Sequence, residues 1–242
     1  MAKSLADRIL SLVVPPLCVA CREPELSGDA VCARCRDSLT PRRTTNVDRG
    51  VFLTLAWSPF EYDEAAQRIV MALKARSATR AAVFMATAIA ARAPAGLLEG
   101  VIVPVPGRPG GNRRRGFDHA ALIAGRLGRL TGLPVAEVLS RTGAPPQVGL
   151  ARLERRANAS GAVVLRDGAL PVDRVVLVDD VYTTGATLDA CAEALLAGGA
   201  GDVAGACFAR TERYPRDRWR SGPGARSIGK AMHARGSQEV NR

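Results

Sequence analysis

The 242-residue sequence has no run of 18 or more apolar residues, so no membrane-spanning helix is expected. Aromatic residues are scarce at 4%, which argues against a platform that stacks the bases of single-stranded nucleic acid. Only two histidines are present; His119 reads as a surface or capping residue at a helix start, and no general acid or base is evident. No Gly-Lys-Ser/Thr follows a glycine-rich loop, which excludes a Walker A site. No GxGxxG follows a strand-like run, which excludes the dinucleotide fingerprint. An export signal is not expected either. Ile9 to Leu17 is mostly apolar, but Asp7 adjoins it, Pro15-Pro16 interrupts it and no small-residue cleavage site follows. An amphipathic helix with Leu5, Ile9, Leu12 and Val13 on one face fits better. The expected compartment is therefore the cytoplasm, where thiols stay reduced and paired cysteines read as metal ligands before disulfides.

What is present points to a folded, basic chain. Apolar residues make up 47%, and the mean hydropathy of +0.03 suits a buried core. The net charge of +11 favours anionic partners, although a plain solvated basic surface would give the same balance. Three parts are expected. Residues 1–49 hold an N-terminal helix and four of the six cysteines, ending in a polar stretch from Thr40 to Gly50. Residues 50–212 alternate short aliphatic runs with Ala-rich segments. They predict strands near 51–57, 101–105, 135–139, 162–165, 174–179 and 202–208, and helices near 61–76, 79–93, 117–131 and 186–198. That alternation predicts an α/β fold with a parallel sheet flanked by helices. Residues 213–242, with eight Lys/Arg against two Asp/Glu and few aliphatics, predict a disordered basic tail.

Cys18-x-x-Cys21 and Cys32-x-x-Cys35 form two pairs ten residues apart. Each pair can offer two thiolates to one tetrahedral ion, and four sulfurs select a structural zinc or, less often, an iron–sulfur cluster. A closed four-sulfur shell leaves no open position for chemistry, so its role is folding or docking. Cys191 and Cys207 are isolated in apolar contexts and read as buried packing.

The strongest chemical signal is the segment from Val175 to Thr187, VVLVDDVYTTGAT. An apolar strand, buried on both faces, runs into Asp179 and Asp180, then into Thr183, Thr184, Gly185, Ala186 and Thr187, and then into a helix. Hydroxyls, loop N–H groups and the helix N-terminus can cradle a phosphate dianion. The carboxylates would repel phosphate but suit sugar hydroxyls or hydrated Mg²⁺. Together these pieces describe a ribose 5-phosphate site. The bland alternative is a strand–turn–helix junction with a threonine cap.

This segment resembles the phosphoribosyl pyrophosphate motif of type I phosphoribosyltransferases, and the chain resembles the ComF branch of that fold over most of residues 12–210. The matching pieces are Pro15-Pro16-Leu17-Cys18 with both CxxC pairs, Val103-Pro104-Val105-Pro106, and Arg113-Arg114-Arg115-Gly116-Phe117. Arg141 through Pro146-Gln147, Arg155-Arg156 and Asn158 follow, and the Asp-Asp-x-x-Thr-Thr-Gly segment completes them. The chain departs from the family pattern at Asp118-His119, where Asn-Gln is usual, and between Tyr62 and Lys74. Both departures bear on base or partner specificity rather than on the ribose-phosphate site.

The resemblance implies a type I phosphoribosyltransferase fold behind a small four-cysteine zinc module. It implies a pyrophosphate-binding loop at Val105, Pro106, Gly107, Arg108, Arg114 and Arg115. It implies a mobile flap carrying Arg141, Gln147, Arg155 and Arg156. The residue types agree, because a glycine-rich loop ringed by guanidinium groups can hold a diphosphate. The implied ligand is phosphoribosyl pyrophosphate with Mg²⁺, and the implied reaction is phosphoribosyl transfer to an unidentified acceptor, with Asp179 and Asp180 as the catalytic pair. The resemblance also implies a place in DNA uptake and natural transformation, beside helicase-like and DNA-loading partners. A rival reading is a non-catalytic module of that machinery that senses a phosphoribosyl ligand or docks protein or single-stranded DNA.

Overall fold

In the computed structural model the described residues are 15–43, 45, 47–74, 78–107, 118–141, 163–166 and 172–211. All of them fall within one compact unit, Met1–Thr211. The expected N-terminal helix and basic tail lie outside the described residues, as do Arg108, Arg114, Arg115, Gln147, Arg155 and Arg156.

The elements run α1 (Ala33–Asp37), β1 (Leu55–Trp57), β2 (Phe60–Glu61), α2 (Glu64–Leu73), α3 (Ala78–Arg92) and β3 (Val101–Pro104). They continue with α4 (His119–Thr131), β4 (Leu139–Arg141), β5 (Val163–Leu165), β6 (Arg174–Tyr182), α5 (Ala186–Ala197) and β7 (Asp202–Arg210). The main sheet is wholly parallel, in the order β1-β7-β6-β3, with β2 continuing along β7 beyond β1. β4 and β5 form a separate antiparallel ribbon.

β6 is central because Val175, Val176, Leu177 and Val178 are buried on both faces. Alternation sorts its side chains. Val176 and Val178 pack with Ile69 of α2, Met85 and Ile89 of α3, and Ile123 and Leu127 of α4. Val175 and Leu177 pack with Leu188, Cys191 and Leu195 of α5 and with Leu139 of the ribbon. Helices α2, α3 and α4 thus cover one face, and α5 with the ribbon covers the other. Gly205 of β7 lets α5 lie close, since a Cβ there would meet Leu188 Cδ2 at 2.7 Å.

Local signals set the helix ends. Asp63 caps α2 by accepting from the Ala66 N–H at 2.8 Å. Asp118 caps α4 by accepting from the Ala120 and Ala121 N–H groups. Gly132, at φ 77°, ends α4 in the left-handed conformation.

Beyond shifts of strand ends, the structure departs from the sequence reading along the sheet edge and near residue 135. Glu61, read as the start of a helix, instead pairs with Arg210 in the short strand β2. Residues 135–139 contribute one parallel bridge, Val135 to Ile102, before β4 begins at Leu139. The polar stretch 40–50 is tied to the sheet edge: Asp48 bridges Ala56, the Arg42 N–H reaches the Pro59 carbonyl, and the Thr40 N–H reaches Asp63.

Candidate phosphoribosyl site and cysteine centre

β3 leads on to α4 on one face of the sheet, and its neighbour β6 leads on to α5 on the other. The carboxyl ends of such a pair form the crevice where open α/β sheets hold their ligands. Asp179 and Asp180 lie there. They sit within β6 rather than after it, because Asp179 pairs with Cys207 and the ladder runs on to Tyr182 and Arg210.

Strand alternation sends the two carboxylates to opposite faces. Asp180 points toward the α2 side, where Lys74, at the end of that helix, places Nζ 3.2 Å from Oδ2. Asp179 accepts the Asp180 N–H at 2.8 Å. Asp179 is half-buried, and its desolvation, then repulsion by Asp180, then the more distant Asp118, push its carboxyl above the ordinary range. Strongly shifted carboxyls at a strand end mark candidate functional sites.

The turn after β6 exposes Thr183, Thr184 and Ala186 and buries Gly185. Gly185, at φ 82°, is the N-cap of α5 and offers no side chain to its first N–H groups. Only Thr184 Oγ1 approaches among the capping contacts, at 3.4 Å from the Ala186 nitrogen. A helix start left open in this way can receive an anion.

The turn Val105–Gly107 lies beside Asp179, because the Val105 N–H extends the β3–β6 ladder to the Val178 carbonyl at 2.9 Å. Two residues clamp it. The Gly107 N–H donates to Asp118 Oδ2 at 2.8 Å, and Arg141 Nε donates to the Pro106 carbonyl at 2.9 Å. Arg141, expected in the flap, therefore sits at the end of β4 against the other expected loop. The structure brings together Asp179, Asp180, Thr183 to Thr187, Val105, Pro106, Gly107 and Arg141.

The sequence reading missed Lys74, Arg210, Asp48 and Asp189. Asp189, in the first turn of α5, accepts from the Val51, Phe52 and Leu53 N–H groups at 2.9 to 3.2 Å. Arg210, only 4% exposed, bonds Asp48. No short motif marks these residues; an acid one turn into the helix after the Thr/Gly loop was the one visible hint.

Away from this crevice, Cys18, Cys21, Cys32 and Cys35 bring their sulfurs within 4.8 Å of one another. Cys21 and Cys32 sulfurs are 3.8 Å apart. A tetrahedral zinc with Zn–S bonds of about 2.3 Å needs sulfurs about 3.8 Å apart, so the set could hold zinc. The Cys32 N–H donates to Cys18 Sγ at 3.3 Å, a bond that supports a thiolate. Cys21 is drawn down to about 6, chiefly by the Glu23 backbone N–H. Burial and the neighbouring sulfurs push Cys35 the other way. A divalent cation would resolve that conflict by holding all four as thiolates. By contrast, burial pushes Cys191 up to about 12 and Cys207 well above the usual thiol range, which fits inert packing.

Over 92 residues, 36% of this chain, the sequence is 36% identical to a curated protein of Haemophilus influenzae. That relative is Competence protein F. The match spans 40% of the length of Competence protein F, and it agrees with the ComF resemblance read from the motifs. No protein-family model matches the chain. Among solved structures the chain is similar to an adenine phosphoribosyl transferase from Trypanosoma brucei, solved with AMP, pyrophosphate and ribose-5-phosphate. That likeness has a TM-score of 0.36 and 14% identity, covering 86% of this chain and 87% of the other. Among the described residues, no helix is long and apolar enough to cross a membrane.

Proposed function

We propose that the chain binds phosphoribosyl pyrophosphate with Mg²⁺ and transfers its phosphoribosyl group to a nitrogenous acceptor. The observation that carries this reading is the meeting of an acid pair, an open helix N-terminus and a clamped Val-Pro-Gly turn at the ends of β3 and β6. The open start of α5 with Thr183, Thr184 and Thr187 would take the 5-phosphate. Asp179 and Asp180 would hold the ribose hydroxyls, and Val105 to Gly107 would border the diphosphate. Mg²⁺ would arrive with the diphosphate, since it prefers one or two carboxylates plus substrate phosphates.

In the reaction the bond from ribose C1 to the pyrophosphate oxygen breaks and a bond from C1 to the acceptor nitrogen forms. Pyrophosphate leaves with the bonding pair, and the acceptor nitrogen gives its proton to solvent. Such a step depends on positioning and on stabilising separated charge more than on a strong acid or base. That demand fits a site of carboxylates, N–H groups and cations. Lys74, now beside Asp180, would be free to swing toward the leaving diphosphate once sugar hydroxyls occupy the acid.

The four cysteines hold one Zn²⁺ as a structural ion in this reading. Thiols stay reduced in the cytoplasm, and that is the compartment proposed for this chain. From the name of its Haemophilus relative we further propose a role in competence. Elemental analysis should find about one zinc per chain. Phosphoribosyl transfer is tested by following pyrophosphate release across a panel of purine, pyrimidine and amine acceptors. Release that depends on one acceptor and on Mg²⁺ is expected, whereas binding without release from any acceptor would favour the sensor reading.

A further inference from the structure

Arg210 closes β7 and is buried, yet it carries four polar contacts and a ring contact. Its guanidinium grips Asp48 through two bonds, at 2.5 and 2.7 Å. Its Nη1 donates to the Thr183 carbonyl at 2.9 Å and to the Thr211 carbonyl at 2.7 Å. The same group lies over the Tyr182 ring, 4.6 Å from its centroid. That ring in turn backs Gly185, where a Cβ would meet the Tyr182 oxygen at 2.3 Å. Arg210 therefore touches the first residue of the phosphate turn and, through Tyr182, the residue that caps α5.

A buried guanidinium costs desolvation free energy that its partners must offset. A salt bridge with Asp48 alone could do that. The further contacts do something else, because they fix the carbonyl and the ring on either side of the turn. A planar fork of five donors can serve a carboxylate and two carbonyls together, which a lysine cannot.

We propose that Arg210 is a positioning residue for the phosphate-binding turn Thr183–Thr187, with Asp48 of the sheet-edge strap holding it in place. The inference rests on the reading of that turn as the 5-phosphate site. Arg210 touches no ligand. It keeps the Thr183 carbonyl turned away from the anion and keeps Gly185 seated, so that the N–H groups at the start of α5 point together at one phosphate.

Position and general stability are separable because the two halves of the ligand bind to different loops. Calorimetry with ribose 5-phosphate and, separately, with inorganic pyrophosphate plus Mg²⁺ reads each half in the full chain. Arg210→Lys should weaken ribose 5-phosphate about tenfold, the scale of a lost charged hydrogen bond, and leave pyrophosphate binding within about twofold. Asp48→Asn, which keeps the buried Arg210 and its carbonyl and ring contacts, should shift ribose 5-phosphate in the same direction by a smaller factor; it serves if the lysine variant fails to fold. Equal weakening of both ligands, or unchanged ribose 5-phosphate binding in a folded variant, would overturn the positioning role alone. A wild-type protein that binds neither ligand would overturn the reading of the turn as well.

Discussion

The Asp179 carboxyl titrates differently in the folded and the unfolded chain. An aspartate in an unfolded chain loses its proton near about pH 4. In the fold, burial and the Asp180 charge hold that proton to higher pH. The native state thus binds more protons than the unfolded state between the two values. Stability is lost as pH rises through that window, and at neutral pH the residue is a net cost. Asp179→Asn should therefore raise the melting temperature of the ligand-free protein at pH 7, with the gain fading toward pH 3. The same change should abolish binding of phosphoribosyl pyrophosphate, as should Asp180→Asn. A melting temperature that falls at pH 7 would contradict the assigned cause. Both acids and the Thr/Gly turn stand out in the sequence, because carboxylates on an apolar strand must have their desolvation offset. Lys74 and Arg210 do not. Each reaches the site from a separate element, and only the paired strands and the end of α2 reveal the neighbourhood.

Among the elements, α5 is held at both sides of its first turn. Gly185 starts it at a positive φ, and Asp189 ties it to the backbone of residues 51–53. Gly185→Ala would strain that φ and drive a methyl group into the Tyr182 oxygen. Loss of ribose 5-phosphate binding together with a lower melting temperature is the expected result. Asp189→Ala leaves three N–H groups without their acceptor and should cost about 1–3 kcal/mol in denaturant unfolding. An unchanged unfolding midpoint would mean that water replaces the carboxylate at no cost. The helices were legible to within a residue or two from their caps and apolar spacing, α2 excepted. The start of α2 was misjudged because Phe60 and Glu61 pair with β7, a contact about 150 residues away that no local pattern encodes.

At the scale of the whole molecule, the cysteine centre and the sheet share one core. Val19, Val31 and Leu39 pack in the same buried cluster as Ile69, Met85 and Ile89. Arg80 of α3 also donates to the Leu17 and Asp29 carbonyls, at 2.6 and 2.5 Å. The boundary expected near residue 49 is therefore no break in packing. If the four cysteines hold zinc as proposed, a chelator should lower the melting temperature of the entire unit in a single transition, measured by scanning calorimetry. Two separated transitions would show that the cysteine segment unfolds independently. The parallel sheet and the two CxxC pairs were readable from aliphatic runs and spacing. The shared core was not, because burial of Val19 or Leu39 depends on what lies across from it.

The central claim is that the ends of β3 and β6 hold phosphoribosyl pyrophosphate. Isothermal calorimetry of the zinc-loaded protein with that ligand, with and without Mg²⁺, tests it most directly. The account predicts saturable binding that requires Mg²⁺ and disappears in Asp179→Asn and Asp180→Asn. No heat at millimolar ligand in the folded wild-type protein, or binding indifferent to both aspartates, would contradict it.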